Sequence, residues 1–446
     1  MKSYERFAFV LAAISIIAST LNPPTQAVAE AQESVKASAR AREATPELRQ
    51  RTFEIVWRTI KEKHFDPNYN GVDWNKVHDL YAPRIAKVKN DKEFYEVLQE
   101  MLNELHQSHF VVLPPDFAHR PETKDKQEAS VGVQFRIIDG EAVIWRALPD
   151  SPAARAGLRP GFIVKEIDGQ TIEQIGAPIL KQKVSPEISR GQINGYVDER
   201  LLGDPGTSVK LAYLDEGKQR REVSLKREVL KGEMSPPVGG FPSFLTEFES
   251  KRLADGIGYV RFNMFLPILN QRIRAAVRSM ADAPGIIIDL RGNPGGFDGV
   301  GQGLAGLLLD KQTILGTSRM RQGYENYIVY PLKNPYKGAV VILVDSMSGS
   351  ASESFSGGMQ AIGRAVVVGE RSYGGDLDAS VDTLPTGALL LYAYADFVTA
   401  KGVSLEGRGV VPDIEVKWTR ASLLSGNDPQ LEAAINYIKK QSGQPK

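Results

Sequence analysis

Hydrophobic positions recur along the chain in three successive patterns. Between residues 46 and 115, Phe53, Val56, Trp57 and Ile60 fall at i, i+3, i+4 and i+7, and Phe94, Val97, Leu98, Met101, Leu102 and Leu105 repeat that spacing over three turns. This period predicts amphipathic helices. Asn90 with Glu93 makes an N-cap for the second, and Pro114-Pro115 closes the helical region. From 128 to 230 the period shortens. Val131 to Phe135, Ala142 to Trp145, Phe162 to Ile167, Val209 to Tyr213 and Glu222 to Leu225 predict strands, with turns at Asp168-Gly169 and Asp204-Pro-Gly206 and a short helix over 151–157. This is a small β-rich module. Its segment from Gly176 to Gly203 suits a lid or an insertion equally. Residues 231–255, with Pro236-Pro237 and Gly239-Gly240, read as a linker.

From 256 to 420 apolar β-branched runs alternate with helical segments: Gly258 to Phe262, Leu269 to Ala281, Gly285 to Leu290, Gly296 to Leu309, Ala339 to Asp345, Ser350 to Ile362 and Ala365 to Gly369. The alternation predicts an α/β core with a mainly parallel sheet, and such sheets place their sites beyond the carboxyl ends of strands. Residues 421–446 read as a C-terminal helix and tail. The fold class is therefore multidomain α/β.

Residues 1–29 differ from all of this. Lys2 and Arg6 precede the apolar run Phe7 to Leu21, and small residues follow, with cleavage expected after Ala27 or Ala29. This is the pattern of a secretory signal peptide; the alternative, a retained anchor, meets a run short for a ~20-residue span. Residues 30–45 read as a flexible lead-in. The mature protein is expected outside the cytoplasm, periplasmic or secreted, with no membrane span. The 446 residues carry a net charge of +1, which argues against a nucleic-acid partner, and contain no cysteine, which excludes disulfides and thiol chemistry. The sequence carries no signal for an oligomeric state.

Candidate chemistry lies at two strand ends, Asp289-Leu-Arg-Gly-Asn-Pro-Gly-Gly296 and Ser346-Met-Ser-Gly-Ser-Ala-Ser-Glu353. First-turn N–H groups of a helix have no intrahelical partner, so an oxyanion forming beside Ser350 would meet donors already aimed at it. Ser350-x-x-Glu353 is equally a capping box that only starts a helix. Asp289 and Arg291 read as packing residues, and Ser346, Ser348 and Ser352 as loop and cap serines.

These stretches, with Arg364 to Glu370 and Glu406-Gly-Arg-Gly-Val-Val-Pro-Asp413 in that order, resemble the carboxy-terminal processing, or tail-specific, serine protease family from about residue 47 to 417. The module at 128–230 resembles a PDZ domain, with Gly132-Val-Gln-Phe135 in the place of its carboxylate-binding loop. The resemblance implies an α/β serine protease core and a serine endopeptidase that acts on proteins or peptides with free C-termini. Val131, Gly132, Val133, Gln134 and Phe135 would bind the tail, with Val131, Val133 and Phe135 lining an apolar pocket.

One departure matters. Many members pair the serine with a lysine about 25 residues on, and Tyr373-Gly-Gly-Asp376 puts Gly375 there. Tricorn protease and its relatives, which this chain also resembles, take a histidine base from a Ser-His pair that ends the helical region, as Ser108-His109 does here. They add a glutamate matched by Glu406. The resemblance thus implies Ser350 as nucleophile, His109 as base, Glu406 orienting its second ring nitrogen, and Ser108 assisting. An oxyanion hole would come from the N–H of Ala351 and one from Gly295 or Gly296. Among the five histidines, at 64, 78, 106, 109 and 119, His106 is the competitor. Lys401 is discounted as a base because Ala400-Lys-Gly402 reads as a turn, where lysine keeps its proton. The rival reading is a secreted peptide-binding protein that has kept this fold and lost catalysis. No HExxH spacing or glycine-rich phosphate loop occurs, so no metal or cofactor is expected.

Overall fold

The computed structural model describes residues 14–15, 43–115, 129–180, 186–239 and 241–443. The segment read as a signal peptide, apart from 14–15, the expected lead-in up to residue 42, His119 and the last three residues of the tail lie outside the described residues.

The front of the chain forms helices α1 (Pro46–Lys63), α2 (Trp74–Ile85) and α3 (Asp91–Asn103). Each starts on a side chain that accepts a first-turn N–H: Thr45 from Leu48, Asp73 from Lys76, and Asn90 from Glu93 at 2.9 Å. Phe53, Val56, Ile60, Phe94, Leu98, Met101 and Leu102 are fully buried on the facing stripes. After α3 the backbone turns twice through left-handed geometry, at His106 (φ 54°) and His109 (φ 62°), and enters strand β1 (Val111–Leu113).

The module contains β2 (Val133–Ile138), β3 (Glu141–Ala147), the short α4 (Pro152–Arg155), β4 (Ile163–Ile167), α5 (Ile172–Leu180), α6 (Pro186–Glu199), β5 (Ser208–Leu214) and β6 (Arg220–Lys226). Its strands form an antiparallel sheet in the order β2-β3-β4-β5-β6. The undecided segment 176–203 is mostly helix, and α6 packs beside edge strand β2.

The core follows with β7 (Phe248–Arg252), β8 (Gly258–Phe262), α7 (Asn270–Ser279), β9 (Gly285–Asp289), α8 (Asp298–Gly306), β10 (Thr313–Met320) and β11 (Tyr324–Val329). It continues through β12 (Ala339–Val344), α9 (Ala351–Ala361), β13 (Val366–Gly369), β14 (Leu377–Thr383), β15 (Leu389–Thr399) and β16 (Ile414–Glu415), and the chain closes with α10 (Arg420–Ser425) and α11 (Pro429–Ser442).

One core sheet runs β7-β8-β9-β12-β13-β16 and is parallel except at β7, which belongs to the segment read as a linker. A second sheet, β11-β10-β15-β1 with β14 also on β15, is antiparallel throughout. Among the described residues antiparallel pairs outnumber parallel ones, so the expectation of a mainly parallel sheet holds for only part of the core. The reason is the set of strands at 313–329 and 377–399, which the sequence reading left unassigned. The antiparallel sheet places the site's second half, because β15 pairs with β1 and so fixes the front helices against the core.

Candidate active site

Two loops leave the carboxyl ends of neighbouring strands β9 and β12 and are knitted together. Leu290 N–H donates to Leu343 O at 2.9 Å, Gly349 N–H to Asn293 O at 3.1 Å, and Ser352 Oγ to Asn293 O at 2.9 Å. Ser348 Oγ donates to Leu290 O at 2.8 Å and accepts from Asp345 N–H at 2.9 Å, so it serves the loop.

Ser350 is fully buried and sits at φ 54°, ψ −127°, a region unfavourable for any residue with a Cβ. Its neighbours hold it there. Its N–H donates to Gly375 O at 2.9 Å and to Glu353 Oε2 at 3.1 Å. Ser350 and Glu353 form the capping box expected of them, and the cap does more than start α9. Glu353 also accepts from Gly374 N–H at 2.7 Å, Gly375 N–H at 2.9 Å and Ser372 Oγ–H. Burial raises its pKa, and these donors oppose that shift.

Gly295 touches the start of α9. A Cβ on it would stand 2.6 Å from Ser350 Cβ and 2.9 Å from Ala351 N, so only glycine lets this backbone approach the serine. Gly296 follows, bridged to Phe265 on one side and paired in parallel, together with Gly295, with Ile14–Ser15 on the other.

The second half of the site comes from the β1 junction. His109 is buried, and its Nδ1 lies 2.6 Å from Ser108 Oγ. Ser108 Oγ donates to Glu406 Oε2 at 2.7 Å, Ser108 N–H donates to Glu406 Oε1 at 2.7 Å, and Asp376 N–H donates to Oε2 at 3.0 Å. Since the Ser108 hydroxyl proton goes to the carboxylate, its lone pair takes the Nδ1–H, which leaves Nε2 as the proton-accepting nitrogen. That Nε2 is buried with no hydrogen-bond partner among the described residues. Glu406 therefore reaches the imidazole through Ser108, whereas the sequence reading had it act on the ring nitrogen itself. Burial pushes His109 down to about 3, so its ring is neutral at neutral pH. Burial also pushes Glu406 up to about 7 against the Ser108 and Asp376 donors.

Gly375 joins the halves. Its carbonyl holds Ser350 N–H, and a Cβ there would meet the Tyr373 ring at 2.9 Å and Ser108 Cβ at 3.2 Å. Any side chain at position 375 would therefore press on the Tyr373 ring and on Ser108.

The remaining candidates lie elsewhere. His106 is exposed, His64 bonds Gln107 and stacks on Phe110, His78 bonds Glu54, and Lys401 is exposed in a turn after β15. Asp289 and Arg291 form a buried network with Tyr259, Arg261 and Asp428. Val131, Val133 and Phe135 point into the module's own core instead of lining an open pocket, and Gly132 packs on Ser151. Alternation on a strand does not say which face a ligand meets, and here the apolar face is the interior. Gln134 is half-buried on the other face. The sequence reading also missed Ser372 and Asp376, and two ties from the module to the catalytic loops. Arg136 Nε of β2 donates to Asp345 Oδ2 at 2.8 Å, and a Cβ on Gly191 of α6 would overlap the Tyr373 ring at 2.2 Å.

A strained buried serine at a helix start, facing close-packed glycines and tied through one loop to a serine-bridged histidine and carboxylate, is the equipment of a serine hydrolase. Residues 256–416 match the family described as Peptidase family S41, and residues 46–103 match the tricorn protease C1 domain. The carboxyl-terminal-processing protease of Synechocystis is 27% identical over 391 residues, covering 86% of this chain and 85% of the relative. Carboxyl-terminal-processing peptidase 3, chloroplastic, of Arabidopsis thaliana is 28% identical over 422 residues, covering 92% and 77%. The solved photosystem II D1 C-terminal processing protease shares the fold, with a TM-score of 0.56 at 22% identity over 83% of this chain and 93% of that one. The protein is a serine-type peptidase. Its residues 256–416 are similar to peptidase family S41, and the relatives it resembles are carboxyl-terminal-processing enzymes. Among the described residues no helix is long and apolar enough to cross a membrane.

Proposed function

We propose that this chain is an extracytoplasmic endopeptidase that selects protein substrates by their C-terminal tails and cleaves them with Ser350 as nucleophile and His109 as base. The observation that carries the reading is the Glu406–Ser108–His109 relay, which leaves only Nε2 of the imidazole free to take a proton. In the first step Ser350 Oγ attacks the scissile carbonyl carbon while its proton passes to Nε2. The imidazolium so formed keeps its Nδ1–H on Ser108, whose own hydroxyl is held by the Glu406 carboxylate. The oxyanion takes the N–H of Ala351 and one from Gly295 or Gly296; losing one such donor typically slows acyl transfer about 10²–10³-fold. His109 then returns its proton to the leaving amine, and water hydrolyses the acyl-enzyme by the same route in reverse. The pairing of Ile14–Ser15 with Gly295–Gly296 supports a cleft that accepts an extended peptide.

The module is a PDZ domain in this reading, with residues 131–135 presenting backbone to the tail. Its support is the antiparallel sheet with edge strand β2 lying beside helix α6, the arrangement in which a peptide adds as a further strand. Phe135 N–H on that edge is held by Asp198 of α6 at 3.3 Å, so an incoming tail exchanges that bond for its own. Entry to the secretory route rests on the basic and apolar start of the sequence.

The test is hydrolysis of a peptide with a free apolar C-terminus and of its C-terminal amide. Wild type cleaves the free acid with the lower KM and Ser350→Ala cleaves neither; equal KM values sink tail selection, and equal rates for the two enzymes sink the nucleophile. The pH profile tests the relay. Ser108 donates to Glu406 only while the carboxylate is ionised, so kcat/KM falls as pH drops through about 7 and Glu406 takes up a proton. Glu406→Gln lowers kcat/KM and removes that acid limb. A limb unchanged in Glu406→Gln assigns it to another group.

A further inference from the structure

A cleft of about 340 Å³ opens between the start of α8, which follows Gly295-Gly296 in the chain, and strands β10 and β11. Pro267, Phe297 and Tyr327 give it apolar walls, Asp298 lies along it, and Ser318 and Glu325 face from the opposite sheet. Its lining includes no lysine, arginine or histidine. Two residues, Gly296 and Phe297, separate Gly295 from Asp298, at most ~11 Å of chain from one Cα to the other.

Asp298 is 3% exposed. Its Oδ1 accepts from Ser354 Oγ at 3.3 Å, one helical turn beyond Ser350 on α9, and its main-chain carbonyl accepts from Tyr327 Oη at 2.9 Å. Its Oδ2 is buried with no hydrogen-bond partner among the described residues. Behind it Asp378 of β14 also buries an unpartnered oxygen. A carboxylate shut away from water without a donor is destabilising, and a cation entering the cleft removes that penalty.

We infer that this cleft is the specificity pocket for the residue whose carbonyl is attacked, and that Asp298 selects a lysine or arginine side chain there. The scissile carbonyl oxygen sits on the Gly295–Ala351 side of Ser350 in the proposed mechanism, and the side chain one bond away from that carbonyl is the one that meets Phe297 and Asp298. The aliphatic stem of lysine or arginine lies along Pro267, Phe297 and Tyr327, and its charged head reaches Asp298 Oδ2. Burial, and then the neighbouring Asp378, raise the pKa of Asp298. The inference rests on the protease reading and adds a substrate class to it.

The test uses three fluorogenic peptides with one free C-terminal tail, differing only in lysine, norleucine or glutamate before the scissile bond. Wild type gives kcat/KM about tenfold or more higher for lysine than for norleucine, with glutamate poorest. Asp298→Asn brings the lysine-to-norleucine ratio close to one; because a ratio is read within one preparation, partial loss of folded enzyme leaves it unaffected. Independently, cleavage sites in casein mapped by mass spectrometry after wild-type digestion are enriched in lysine and arginine before the cut. Equal wild-type rates for lysine and norleucine, or a lysine preference that survives in Asp298→Asn, overturn the pocket and leave the protease reading standing. Failure of wild type to cleave any peptide or casein overturns both.

Discussion

Ser350→Ala and His109→Ala are each expected to lower kcat/KM on a tail-bearing peptide by about 10⁴-fold or more, and the double variant by scarcely more than either alone. Nucleophile and base act as one unit, so removing either already removes proton transfer and attack together. A fluorophosphonate labels wild type at Ser350, found by peptide mapping, and labels His109→Ala far more slowly. His106→Ala, on an exposed imidazole outside the relay, retains wild-type labelling. Rapid labelling of His109→Ala, or adduct on Ser348 or Ser352, would move the chemistry to other residues. Ser108→Ala sits between these extremes: the imidazole stays while its link to Glu406 goes, so activity falls and the acid limb set by Glu406 goes with it.

The second large effect concerns the scaffold. Asp289 is fully buried and accepts from Tyr259 Oη at 2.7 Å, Arg261 Nη1 at 3.1 Å and Arg291 Nη2 at 2.7 Å. Burial by itself would raise its pKa, but Arg291 and Arg261 hold it well below the usual carboxylate range. Asp289→Ala leaves the Arg261 guanidinium without its carboxylate in the interior and Arg291 with only Asp428 as an ion-pair partner, and the expected loss is about 3–5 kcal/mol of stability, read as a lower urea midpoint. Asp289→Asn, which keeps an acceptor for Tyr259, loses less than Asp289→Ala. Arg291 also pairs with Asp428, whose side chain caps α11 by accepting Leu431 N–H, so the last helix loosens as well. An unchanged midpoint would show that the network contributes nothing.

Features with local causes were legible in the sequence. The α3 stripe and its Asn90 cap lie within sixteen residues of each other in the numbering from Asn90 to Leu105, and the helix forms where the period placed it. Core helices α7, α8 and α9 fall inside the segments expected for them, with ends one to three residues shorter. Strands β10, β11, β14 and β15 were not legible. Leu389–Thr399 is buried on both faces, so it shows little alternation, and it takes partners from both the front helices' exit strand and the rear of the core. At the site, the residue types were readable and their linkage was not. Ser108 and Glu406 lie far apart in sequence, and only folding shows the hydroxyl standing between carboxylate and imidazole. The glycine at 375 was visible as a departure from the family pattern, but its close packing against the Tyr373 ring and Ser108 needed the third dimension. Asp298 gave no signal at all beyond an acidic residue at a helix start, and its importance comes from an oxygen with nothing to bind.

The contact of Gly191 with the Tyr373 ring and the Arg136–Asp345 ion pair brace the loops around Ser350 from the module at 129–230. Tyr373 opens the stretch whose Gly375 carbonyl steadies Ser350, and Asp345 begins the segment that leads to it. Excising residues 129–230 would therefore yield a slack blade instead of an unleashed one, since the amputated core would lose the buttress that keeps its own nucleophile in a conformation it would otherwise relax out of.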